Sequence, residues 1–250
     1  MTRALASEWR KLISTRTPLW AAVAVAALSL GVALLLGYTA YPLTPMAPEK
    51  AATGVALLGV PALMVLASIS VTAEYRSAMI RTTFLATPNR AAVLTAKALV
   101  AAVCCAVLAA LATLGSVLVA RWAAAPRAAA GLDLAHADTW RAVGAVALVA
   151  ALAAVAAVGV AAVLREAAAT VAVLLMWPLV IESVLGTLPS ISAHVGPYLP
   201  FANGLAFARV PAFTAPFPMA WGELGSLAYF TGFVAVCFAA GLVAISRRDA

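Results

Sequence analysis

The chain has 250 residues, of which 65% are hydrophobic and 10% charged, and its formal net charge is +7. Soluble domains are about half apolar and a quarter charged, so this composition, with a mean hydropathy of +1.05, excludes an ordinary soluble domain. The apolar excess is Ala, Val and Leu, which suits helices better than the alternating strands of a membrane barrel, and the expected fold class is an all-α membrane protein.

The basic balance reads as positional. Lys and Arg hold spans in register and attract anionic lipid. Nucleic acid is not an expected partner, because no basic patch with interleaved aromatics lies outside the apolar runs.

Residues 2–16, TRALASEWRKLISTR, form an amphipathic helix on paper. Leu5, Trp9, Leu12 and Ile13 fall at i, i+4, i+7 and i+8 on one face, with Arg3, Ser7, Arg10, Lys11 and Ser14 on the other. Thr2 is placed to cap its start. A basic amphipathic helix with a Trp suits the membrane interface. An anchor for the first span and a lever against a cytoplasmic partner are both open readings.

Six apolar stretches are long enough to cross a hydrocarbon core of about 20 residues of helix. They run near 18–39, 53–73, 93–120, 142–163, 168–186 and 222–245. The first is too long for the apolar region of a secretory signal and no small-x-small cleavage site follows it, so it is expected to be retained. With the N-terminus inside, inner segments hold eleven Lys and Arg and outer segments hold five. That bias predicts both termini in the cytoplasm and makes 74–90, EYRSAMIRTTFLATPNR, a cytoplasmic loop.

In that loop Tyr75 and Met79 share one face and Ile80 and Phe84 another, which predicts a short helix ending before Pro88. A solvated loop obeying the charge bias is the alternative. The second and fifth spans carry Pro61 and Pro178, each expected to kink its helix. Ser68 and Ser70 lie in the one, Glu182 and Ser183 in the other, and these four are the candidate pathway residues. Glu182 leads them because a carboxylate in a membrane segment needs water or a partner; simple reach to the headgroups is the alternative. Residues 187–220 hold six prolines and five aromatic residues, too broken for a span and too apolar for a free loop. They read as an outer re-entrant or interfacial segment, or as a loop resting on lipid.

Catalytic signatures are missing. There is no Gly-x4-Gly-Lys-Ser/Thr phosphate loop, no Gly-x-Ser-x-Gly elbow and no His-Glu-x-x-His. Cys104, Cys105 and Cys237 lie in apolar runs far from His136 and His194, so no metal-ligand spacing exists. Asp133, His136 and Asp138 in DLAHAD read as a solvated outer linker. No catalytic residue, metal or cofactor is expected, and the polar segments are short enough that water-soluble chemistry is expected from another polypeptide.

ASEWRKLISTRTPLW, EYRSAMIRTTFLATPNRAAVLTAKALV, and ESVLGTLP with YLPFANGLAF together resemble the permease subunits of ATP-binding cassette (ABC) exporters of the type-2 permease family, especially short actinobacterial members. The resemblance covers nearly the whole chain, and its second segment is the most specific. It implies a multi-pass subunit of the bacterial plasma membrane, itself not an enzyme. Residues 2–16 match that family's interfacial "connecting" helix, and 187–220 its outer re-entrant segment. Glu74, Tyr75, Arg76, Met79 and Arg81 match the coupling helix that docks on a separate cytoplasmic ATPase. A second permease copy or a paralogue completes the transporter, with a pathway lined by the second and fifth spans. An ion-coupled secondary transporter is the competing expectation, opposed by the scarcity of mid-span ionisable groups. A membrane enzyme or a structural accessory is a third.

Overall fold

The computed structural model describes residues 2–77, 79–86, 89–211 and 219–247. All regular structure among them is helical. Six helices are long and apolar enough to cross a membrane: Thr17–Tyr38, Val55–Arg76, Arg90–Ala123, Ala137–Leu164, Ala167–Thr187 and Glu223–Arg247. Each coincides with one of the six apolar runs, and they are called the first to sixth spans below. The third, at 34 residues, is about 50 Å long and overshoots a hydrocarbon core of about 30 Å.

Local sequence sets the breaks between spans. Asn89 accepts a hydrogen bond from the Ala92 amide at 3.0 Å and starts the third. Only Arg165 and Glu166 separate the fourth from the fifth. Arg165 adopts a left-handed conformation, φ 59°, that ends one helix, and the Glu166 carboxylate accepts from the Ala168 and Ala169 amides to cap the next. Those two bonds hold the Glu166 carboxyl below its usual pKa.

The second and fourth spans form the centre, and the first, fifth and sixth expose most of their surface. Small residues let the backbones close. An added Cβ on Gly159 would stand 2.4 Å from the Cys237 carbonyl oxygen, and Gly241 lies against Gly159 in the same crossing. Close approach of this kind is how apolar helices gain van der Waals contact where burial from water supplies no drive.

Both expected proline kinks coincide with π-helical turns. Val55–Gly59 is π-helical just before Pro61, and Trp177–Ile181 contains Pro178. A proline removes one amide donor, and a wider turn accommodates the lost bond.

The two ends of the bundle differ. One, the termini end, gathers the N-terminal helix Thr2–Ser14, the short helix Met79–Ala86 and the end of the sixth span. Arg90 and Arg165 donate to the Ile245 and Ala244 carbonyls at 3.2 and 3.0 Å, placing cations at that helix C-terminus. The far end holds short pieces: Pro189–Val195, a 3-10 turn Gly196–Tyr198, and Pro200–Phe207. These short pieces lie within the broken segment expected over 187–220. Pro88, Phe213, Pro216, Phe217 and Pro218, and the side chains of Thr2, Arg81 and Phe84, lie outside what is described.

Candidate functional site

Four charged side chains meet at the termini end. Glu8 and Lys11 sit three residues apart on the N-terminal helix. Glu74 lies in the last turn of the second span and Lys97 in the second turn of the third. Lys97 Nζ donates to Glu8 Oε2 at 2.7 Å and to Glu74 Oε1 at 2.6 Å. Lys11 Nζ donates to Glu8 Oε1 and to Glu74 Oε1, both at 2.7 Å. Lys97 also donates to the Ser70 carbonyl at 3.0 Å, and the Thr83 hydroxyl donates to Glu74 Oε2 at 3.4 Å. Lys97 is 2% exposed and Glu8 and Glu74 are 6% exposed.

Two carboxylates and two ammoniums make the quartet neutral, which is the condition for burying such groups. Burial pulls the Lys11 ammonium toward its neutral form. Hydrogen bonds and attraction from Glu74 and Glu8 outweigh that and hold its pKa above the usual 10.5. The quartet ties three elements together, and through Thr83 it reaches the helix Met79–Ala86.

This geometry revises the reading of 74–90. Glu74, expected on a docking surface, points inward, because a carboxylate at the end of an apolar helix finds its best partners in Lys97 and Lys11. Tyr75 is half-buried, with the Arg165 guanidinium 5.1 Å from its ring centre. Arg76, Ser77, Met79 and Thr82 face outward, Met79 at 50% exposure.

The N-terminal helix divides its apolar face between protein and surroundings. Leu5 and Leu12 are half-buried, but Trp9 and Ile13 are exposed at 46% and 62%. Glu8 lies on the helix face beside Leu5 and Leu12, so pairing it with Lys97 turns Trp9 and Ile13 away from the protein.

The four candidate pathway residues do not converge. Glu182 and Ser183 line a small open cleft of ≈ 70 Å³ toward the far end, with Pro61 and Pro178 on its walls. Ser70 lines a different cleft, of ≈ 430 Å³, at the termini end beside the quartet. Ser68 is 1% exposed, bonded to the Val65 carbonyl at 2.8 Å, and lines neither. Glu182 is 6% exposed and fully engaged. Its carboxylate accepts from the amides of Phe201 at 3.0 Å and Ala202 at 2.9 Å and from Trp177 Nε1 at 3.0 Å. It therefore caps the helix Pro200–Phe207 from the neighbouring span, a partner that satisfies the carboxylate without headgroups.

Elsewhere, Asp133 pairs with Arg121 at 3.1 Å. Arg141 and Arg209 share Glu223 at 2.6 and 2.5 Å. Among the described residues no group of His, Cys, Asp and Glu is arranged to hold a metal ion. The Cys105 thiol is buried and donates to the Leu63 carbonyl at 3.5 Å, as an inert core group does.

Sequence reasoning gave Glu8 no role and counted Lys97 only in the charge balance. The available signal was Lys97 itself, a single cation within an apolar helix, which demands a partner. Comparison with protein-family models and with curated proteins gave no match to this chain.

Proposed function

We propose that this chain is the membrane-spanning permease subunit of an ABC exporter in the bacterial plasma membrane, with both termini in the cytoplasm. It forms the substrate pathway with a second copy or a paralogue. A separate cytoplasmic ATPase hydrolyses ATP. The observation that carries this reading is the termini end: the quartet fastens the second span, the third span and the N-terminal helix together. Arg76, Ser77 and Met79 are exposed at the mouth of the cleft that the quartet borders. An element held rigidly on its protein side and presented on its water side is what a partner needs to grip. ATP-driven closure then shifts the permease between states, provided the ATPase binds one state better than the other. The loop resemblance, with Glu74 now an internal strut, supports the same reading.

The test is co-purification of a P-loop ATPase encoded beside this chain. Arg76→Glu and Met79→Asp, both at outward positions, should lose that ATPase while the permease still inserts. Full binding by both variants would remove the docking surface from 74–90.

One observation favours the alternative of an ion-coupled transporter. Glu8 and Glu74 are buried carboxylates at a cleft, and proton-coupled pumps use such groups. That reading requires transport to stop when the proton gradient is collapsed with ATP still present; the exporter reading requires the reverse.

A further inference from the structure

We propose that the cleft at the termini end is a binding site for one anionic phospholipid. The proposal rests on the membrane-spanning character of the helices and stands whether or not the chain couples to an ATPase. The buried residues of the first span are Val25, Ser29, Ala33 and Gly37. Its opening residues Thr17 and Pro18 instead line the cleft. The cleft is a wedge bounded by the N-terminal helix and the first three spans.

The wedge has hydrocarbon walls, supplied by Leu66, Ile69, Val100 and Cys104. Its cavity volume of ≈ 430 Å³ falls within the roughly 300–1,000 Å³ of ordinary ligand pockets. An acyl chain is the apolar group that a bilayer delivers to such a space. The mouth selects the headgroup. The carboxylates there, Glu8 and Glu74, are each bonded to both Lys11 and Lys97. Arg76 is the remaining charged group of the lining, exposed and with no ion-pair partner among the described residues. The lining thus carries one cation in excess, with the hydroxyls of Ser14, Thr15 and Ser77 beside it. A singly anionic phosphodiester complements that charge, whereas a zwitterionic headgroup brings its own cation to the same place.

The full-length chain in mild detergent, offered equal amounts of phosphatidylglycerol and phosphatidylcholine with the same acyl chains, gives the test by native mass spectrometry. One phosphatidylglycerol should survive detergent exchange, favoured by about fivefold, the effect of one basic residue at an anionic lipid. Arg76→Gln should bring the two lipids to parity. Ile69→Trp should fill the wedge and displace both, and Ala73→Phe, from a half-buried position on the same wall, does the same if Ile69→Trp fails to accumulate. Equal retention of the two lipids by the wild type overturns the proposal. So does an unchanged preference in Arg76→Gln, or wild-type retention in the filled variants.

Discussion

An ammonium in the second turn of an apolar helix carries a desolvation penalty of several kcal/mol unless carboxylates meet it. Lys97 meets two. Lys97→Met leaves Glu8 and Glu74 facing Lys11 alone, so one buried carboxylate loses its counter-charge. The expected cost is about 3–5 kcal/mol in unfolding measured in detergent. Adding Glu8→Gln restores neutrality, and the double variant should be more stable than Lys97→Met alone; strictly additive losses would show that the quartet is not coupled. Lys11 gives a pH signature. Its pKa is raised in the folded chain, so its contribution is complete below pH 10.5, the unfolded value, and is lost as pH rises through the higher folded value. Lys11→Arg, which does not titrate there, should remove that alkaline loss from the thermal midpoint. An identical profile in the two proteins would mean that Lys11 is not held by the carboxylates.

Two junctions decide how the helices are held. At the far end, Glu182→Ala leaves the Phe201 and Ala202 amides without their acceptor, at about 1–3 kcal/mol for each buried group. Hydrogen exchange at these two amides should rise sharply in Glu182→Ala and less in Glu182→Gln, which keeps one acceptor oxygen. Exchange unchanged in both would mean that Pro200–Phe207 is positioned by its apolar contacts, such as the edge-on Phe201–Phe230 pair at 5.5 Å. Between the fourth and sixth spans, Gly159→Ala puts a methyl against the Cys237 carbonyl and should cost about 1–3 kcal/mol by overpacking. Gly144→Ala, where a Cβ meets open space in the same helix, is the near-neutral control. Equal stability of the two variants would contradict the close crossing. The six spans were legible in the sequence because crossing a bilayer is a demand on one continuous stretch. The short helix before Pro88 was legible for the same local reason. Glu8 and Lys97 were not, since their pairing joins residues 89 apart and neither neighbourhood announces the other. Glu182 stood out as a costly carboxylate, but its acceptors' donors lie 19 and 20 residues away in a segment whose fold no periodicity reveals.

At the scale of the molecule, the second span links two clefts. Its π turn and Pro61 border the cleft of Glu182, and its last turn enters the quartet. Arg76 belongs to that helix, and Met79 opens the short helix that follows it. A permease driven by a separate ATPase requires such a connection, which makes position 79 the most direct place to test the proposal. A photo-crosslinking amino acid should replace Met79 in living cells, and Tyr41, exposed at the far end, should carry the same group as the control. The prediction is an adduct between position 79 and a P-loop ATPase, with none at position 41. Failure to capture an ATPase at position 79, or equal capture at both positions, would contradict it.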